Sequence, residues 1–266
     1  MHALTKIRDR AQDVLQRFDL HGKSAVVIGG NKGLGQAMAL ALASAGADVC
    51  VAARGPEGLE DTASAIASFG RHGNSFALDA TSEQEVKKML RQVLEWYGTI
   101  DILVNSQGTV HLEDAEQFST EQWNAVITVN LQSVFFTCKH IGKRMLEQGK
   151  GKIINISSVR AFQGRARDLA YAPSKGAVNQ LTKSLAIEWG HKGINVNGIA
   201  PVFTKTAINK DILRDETLLE WVLGRIPMKR LGEFEDLFGP VIFLASEASN
   251  FVNGHILPVD GGWLSA

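Results

Sequence analysis

Seven short runs of mostly apolar residues recur along the chain, at 24–29, 48–53, 74–78, 101–105, 152–157, 194–199 and 256–259. A strand with one wet face alternates apolar and polar residues. Most of these runs are instead nearly continuous in Val, Ile, Leu and Ala, the composition of strands covered on both faces in a parallel sheet. Parallel neighbours need a crossover, and the intervening stretches supply helices with readable starts: Ser82 with Glu85 and Ser119 with Gln122 both fit the capping box. The expectation is one α/β domain, a doubly wound parallel sheet of about seven strands with helices on both faces and right-handed connections. Ligands of such sheets bind beyond the carboxyl ends of the strands, so the strand ends are where chemistry is sought.

Two segments fall outside this alternation. Leu4, Ile7, Ala11, Val14, Leu15 and Phe18 recur at helical spacing among charges, so residues 1–22 read as an N-terminal amphipathic helical extension packed on the body or on a neighbouring subunit. Residues 23–266 read as one domain carrying the alternation, within which 203–232, charged and helical by pattern with Trp221 and Met228, reads as a lid.

Charge narrows the partners. Among 266 residues, 28 Lys and Arg balance 28 Asp and Glu, which leaves no basic excess for nucleic acid or anionic lipid. The uncharged run at 33–47 is broken by Gly, Gln and Ser and falls short of the roughly 18–20 apolar residues of a bilayer span. Lys6, Arg8, Asp9, Arg10 and Asp13 stand where a secretory signal would be apolar, so a cytoplasmic protein is expected. Cys50 and Cys138 lack metal-ligand spacing and read as buried thiols; no metal site is expected.

The first strand runs into Gly29-Gly30-Asn31-Lys32-Gly33-Leu34-Gly35, followed by strong helix formers. Such a turn lets backbone approach a pyrophosphate at a helix N-terminus, so a Rossmann-type dinucleotide site is expected there. At the end of the second strand, where a carboxylate would hold the 2'-hydroxyl of NAD, stand Ala52, Ala53 and Arg54. With Lys32, Arg54 favours the 2'-phosphate of NADP(H) over NAD(H).

A second signal is Tyr171-Ala172-Pro173-Ser174-Lys175 entering a helix, with Ser158 at the end of the fifth strand. Spacing of four puts Lys175 on the face of Tyr171, where an ammonium would stabilise a phenolate and lower the phenol's pKa from about 10. Tyr171 could then exchange a proton with an alcohol or carbonyl oxygen that Ser158 also holds. The same residues also fit a core tyrosine beside a solvated lysine. Between Ser158 and Tyr171 lie Arg160, Arg165 and Arg167, donors suited to an anionic substrate or to acids elsewhere. Arg165 is the foremost candidate substrate contact and Arg160 the second.

These residues in this order resemble the short-chain dehydrogenase/reductase family over 24–262. The family's Gly-x3-Gly-x-Gly matches Gly29, Gly33 and Gly35; its Tyr-x3-Lys matches Tyr171 and Lys175; its upstream serine matches Ser158. The resemblance implies that Tyr171 is the general acid/base, that Lys175 tunes it and holds the nicotinamide ribose, and that Ser158 orients the substrate oxygen. It implies further that Asn130 supports a water-mediated proton relay. It also implies cofactor contacts at Asp79 and Ala80, at Asn105 and Gly108, and at Pro201, Val202 and Thr206, and a homotetramer built on the helices holding Asn130 and Lys175. Departures are Ile28 for Thr, Ser106-Gln107 for the family's Asn-Ala, and Val202 for Gly. Within the family, Gly164-Arg165, the Tyr171 segment and the ending Val259-Asp260-Gly261-Gly262 are similar to gluconate 5-dehydrogenases and related sugar-acid and polyol dehydrogenases. A 3-oxoacyl-thioester reductase and a non-catalytic NADP-binding scaffold stay open as alternatives.

Overall fold

The computed structural model describes residues 2–205 and 215–266. Seven strands, β1 (Ser24–Ile28), β2 (Asp48–Ala53), β3 (Gly73–Ala77), β4 (Ile102–Asn105), β5 (Gly151–Ile156), β6 (Ile194–Pro201) and β7 (Ile256–Val259), form one all-parallel sheet in the order β3-β2-β1-β4-β5-β6-β7. The order reverses between β1 and β4, which opens a crevice at their carboxyl ends.

Successive side chains of a strand point to opposite faces, and both faces here are apolar. Ala25, Val27, Ile102, Val104, Ile154 and Ile156 join one core with α2 (Gly33–Ser44) and α9 (Phe238–Ala245). Val26, Ile28, Leu103, Ile153 and Val196 join the other with α4 (Glu83–Tyr97), α6 (Ser133–Gln148) and α7 (Tyr171–Trp189). Continuous apolar runs were the correct sign of strands dressed on both sides. A third cluster of Val159, Val202, Val222, Ile226, Leu231 and Trp263 lies away from both. It sits under α8 (Glu216–Arg225), and Thr204 pairs with Gly232 at its rim.

The expected capping box at Ser119 and Gln122 forms at the start of α5 (Thr120–Ile127). The one at Ser82 forms only by half. Ser82 Oγ accepts from Glu85 N at 3.3 Å, but the Glu85 carboxylate turns to Asp79 N at 2.7 Å and braces the loop after β3 instead.

The N-terminal segment is helical by pattern and in the structure, with most of its apolar stripe exposed. It divides into α1 (His2–Ala11) and a 3-10 turn at Val14–Phe18, and Leu4, Ile7 and Leu15 are 74%, 65% and 80% exposed. Phe18 leans on the body, against Phe243 at 6.4 Å between ring centroids. The apolar stripe is therefore not covered by this chain's own body. No helix among the described residues is long and apolar enough to cross a membrane.

Candidate active site

The glycine turn at the end of β1 is set by backbone crowding. Gly29 has φ of +78° and Gly33 φ of +60°, the left-handed region that glycine tolerates. A Cβ on Gly35 would lie 2.1 Å from the Gly29 carbonyl oxygen, and one on Gly29 would lie 2.9 Å from Gln107 N. No side chain caps the N-terminus of α2, so its first N–H groups remain available to an anion. Asn31 donates through Nδ2 to the Glu57 carbonyl at 2.9 Å, tying this turn to the loop after β2. Leu34 packs on the first core. The turn fits the dinucleotide read from the sequence, because its surface toward the crevice is bare backbone that any larger residue would fill.

Lys32 and Arg54 are both exposed beside this turn, and neither makes an ion pair among the described residues. Asp79 accepts from the Thr81 hydroxyl at 2.7 Å and from Thr81 N at 3.0 Å; these bonds, with the charge of Arg54, hold its carboxyl below the usual range. Arg54 and Asp79 thus face the same end of the crevice. Ala80 is buried in the second core.

At the ends of β5 and β6 the other half of the site assembles. Tyr171 opens α7, and Lys175, one turn later, is buried on the same side, its Nζ 5.8 Å from the phenol ring centroid and donating to the Ile156 carbonyl at 2.7 Å. Ser158 lies beside Tyr171, where its hydroxyl draws the phenol's pKa down, and its Oγ accepts from Arg160 N at 3.1 Å. Asp168 accepts from Ala172 N at 3.0 Å and so pins the first turn of α7.

The electrostatics correct one expectation. Burial pushes the Tyr171 phenol up, opposed by the Ser158 hydrogen bond and the charge of Arg160, while burial alone pushes Lys175 down to about 8. In the protein by itself, desolvation outweighs the mutual help of ammonium and phenolate, since both charged forms lose water. A neutral phenol is nonetheless the form that can give a proton to a ketone oxygen.

Asn130, fully buried in a π-helical turn (Thr128–Gln132), donates through Nδ2 to the Thr109 carbonyl at 2.9 Å and to Ser174 Oγ at 3.0 Å, and accepts from Thr109 N at 2.7 Å. Both of its amide hydrogens are engaged, so the side chain braces the loop after β4 against the catalytic helix. A Cβ on Gly108 would lie 3.6 Å from Asn130 Oδ1 and 3.7 Å from Lys175 Nζ, which places Gly108 at the floor of the site. Asn105 donates to Asn155 Oδ1 at 2.8 Å within the sheet and is a brace, buried away from the crevice. Gln107 turns its side chain away, donating to Ser133 Oγ at 3.0 Å, so the bulk that replaces alanine does not fill the turn.

Pro201 ends β6 in register with Val259, and Val202 is buried in the third cluster. Thr206 lies outside the described residues, as does part of the expected lid. Of the three loop arginines, Arg167 pairs with Asp114 at 3.2 Å and Glu113 at 3.6 Å. Arg165 is half-buried. Arg160 is 8% exposed, with its guanidinium carbon 5.4 Å from the ring centroids of both Phe203 and Trp263. Sequence reading missed Trp263, Phe203, Arg225 and Asp168. Nothing local marks them, because they meet only when the chain's end folds back under α8; the aromatic Trp263 beside a paired glycine was the sole available sign.

A family model described as enoyl-(acyl carrier protein) reductase matches residues 28–264. A 2-dehydro-3-deoxy-D-gluconate 5-dehydrogenase of Bacillus subtilis (strain 168) is 47% identical over 93% of this chain and 97% of its own length. A gluconate 5-dehydrogenase of Gluconobacter oxydans (strain 621H) is 36% identical over 92% and 96%. Among solved structures, a gluconate 5-dehydrogenase from Burkholderia cenocepacia J2315 in complex with NADP and tartrate superposes with a TM-score of 0.91 at 36% identity, covering 95% of this chain and 99% of that one.

Proposed function

The chain belongs to the short-chain dehydrogenase/reductase family, and from that premise we propose that it interconverts a secondary alcohol and a ketone on a sugar acid, with NADP(H) as hydride carrier. The observation that carries the reading is the Ser158, Tyr171 and Lys175 cluster on the floor that Gly108 shares with the glycine turn. Relatives named for gluconate and 2-dehydro-3-deoxygluconate support the substrate class, and the NADP in a neighbour's complex supports the cofactor.

A bound nicotinamide supplies or takes the hydride at the substrate carbon. Tyr171 gives its hydroxyl proton to the carbonyl oxygen in reduction and recovers one from the alcohol in oxidation. Ser158, beside Tyr171, holds the same oxygen in line. Lys175, anchored on the Ile156 carbonyl, would hold the nicotinamide ribose through its remaining N–H groups and stabilise the tyrosinate formed when the proton leaves. Asn130 keeps the loop after β4 and α7 in fixed relation; a relay of water to Lys175 would run through its backbone, since its amide hydrogens are committed. Gly29, Asn31, Lys32, Gly33, Leu34, Gly35, Arg54, Asp79, Ala80, Gly108, Pro201, Val202 and Thr206 are the proposed cofactor contacts, and Asn105 supports them from within the sheet. Arg165 and Arg160 remain the proposed substrate contacts.

We further infer a homotetramer through α6 and α7, whose exposed Phe135 and Ile187 lack cover in one chain. The deciding experiment is a panel of sugar acids, polyols and 3-oxoacyl thioesters with NADPH and NADH, followed by nicotinamide absorbance. Turnover of ketogluconates above thioesters supports the reading; turnover of thioesters alone overturns it.

A further inference from the structure

Arg160 presents an unusual balance of forces. It is 8% exposed, yet among the described residues no carboxylate lies within ion-pair distance, and its Nη2 is buried without a hydrogen-bond partner. A buried guanidinium is ordinarily paired, because desolvating a cation without a counter-charge is costly. Here aromatic faces hold it instead. Phe203 and Trp263 stand at 5.4 Å from its central carbon, and their rings meet edge-on at 5.7 Å. Face contacts of this kind hold the cation in place and leave the edge N–H groups free to bind.

A second cation reaches the same indole. Arg225, the last residue of α8, lies 5.0 Å from Trp263 and 5.4 Å from Trp221, with Trp221 edge-on to Trp263 at 5.9 Å. Trp263 is itself fixed by its Nε1–H, which donates to Gln163 Oε1 at 2.8 Å. The charges of Arg165 and Arg225 oppose that of Arg160, and among the described residues the carboxylate that answers it is Asp168, whose own pKa burial pushes up. The ensemble carries more positive charge than its own acids answer, and Arg160 interacts electrostatically with Tyr171.

We propose that Arg160, steadied between Phe203 and Trp263 and backed by Arg225, is the carboxylate-binding subsite of this enzyme and selects acids over neutral polyols. The inference rests on the alcohol–ketone reading above and assigns its substrate class to particular atoms. The missing counter-charge of Arg160 is the substrate's carboxylate, received by the guanidinium. Arg165, without the aromatic support, contributes general positive field and less of the binding.

The test uses the full-length protein saturated with NADP+ and two probes of equal carbon skeleton, tartrate and threitol, the second bearing CH2OH where the first bears carboxylate. Binding is read by the fluorescence of the tryptophans lining the subsite and by calorimetry. Wild-type protein is expected to prefer tartrate, and Arg160→Met to weaken tartrate about 10–100-fold, the loss expected for a charge-assisted bond, with threitol little changed. Arg225→Gln should weaken it by less, and Arg160→Lys should recover part of the loss. NADPH affinity, measured in parallel, verifies that each variant keeps its fold. Equal binding of tartrate and threitol by wild type, or unaltered tartrate binding by a folded Arg160→Met, overturns the proposal. Tartrate binding that depends on Arg160, in a protein that turns over no sugar acid, would sink the proposed function and leave the subsite standing. Turnover of ketogluconate with an unchanged KM in Arg160→Met would do the reverse.

Discussion

The side of the crevice proposed for the nucleotide and the side proposed for the substrate are made of different materials. On the first, the surface is backbone: Gly29, Gly33 and Gly35 fold so tightly that a Cβ at Gly35 would meet the Gly29 carbonyl at 2.1 Å. On the second, the surface is side chain: Arg160 from the loop after β5, Phe203 from the end of β6, Arg225 from α8 and Trp263 from the chain's end. Backbone can be crowded only by glycine, so the first side leaves a spaced signature in the sequence. Side-chain stacking can be built from many residue pairs, so the second side leaves none. Between them stands Tyr171, which must serve both.

The contrast can be broken at its centre first. Tyr171→Phe should lower kcat by about 100- to 10,000-fold, the range of a lost general acid, while NADPH binding measured by fluorescence persists. A variant that kept its kcat would remove the proton-transfer role altogether. Next in size is Gly35→Ala. Overpacking against immobile backbone should cost about 1–3 kcal/mol of stability and weaken NADPH, read by melting and by titration. An unchanged melting temperature would mean that the turn is not crowded as described.

Arg54→Asp acts on the nucleotide side alone. NADPH affinity should fall about 10–100-fold, as for the loss of a charge-assisted phosphate contact, with NADH affected far less. Equal loss for both would withdraw the preference for the 2'-phosphate. The smallest effect concerns Lys175, whose folded pKa is about 8 against 10.5 for the free side chain. Between those values the unfolded chain holds a proton that the folded one has released, so stability due to this group rises with pH across that window and is lowest below pH 8. The melting temperature of wild type relative to Lys175→Met should therefore climb from pH 8 toward 10.5. A flat difference would show the ammonium to be better solvated than its burial indicates.

Residue by residue, legibility follows the range of the interactions. Ser119 with Gln122 closed as expected because a capping box is completed within one helical turn. Ser82 with Glu85 did not, because Glu85 found the Asp79 amide of a neighbouring loop. Strand β6 runs on to Pro201, past the sequence estimate at 199, because β7 lies beside it and pairs with Ala200 and Pro201. Likewise, Arg167, left open by the sequence between an anionic substrate and acids elsewhere, pairs with Glu113 and Asp114 of its own chain. The N-terminal stripe had the right periodicity but no surface on this chain to cover it.

The sequence by itself determined the parallel sheet, the glycine turn and the spacing of Tyr171 and Lys175, because each is set by covalent geometry or by apolar periods within a few residues. Tertiary structure alone decided which arginine is left without a counter-charge, how burial moves the phenol and the ammonium, and that Trp263 stands between Arg160 and Arg225. Those outcomes depend on desolvation and on the meeting of distant segments, and neither quantity exists until the chain has folded.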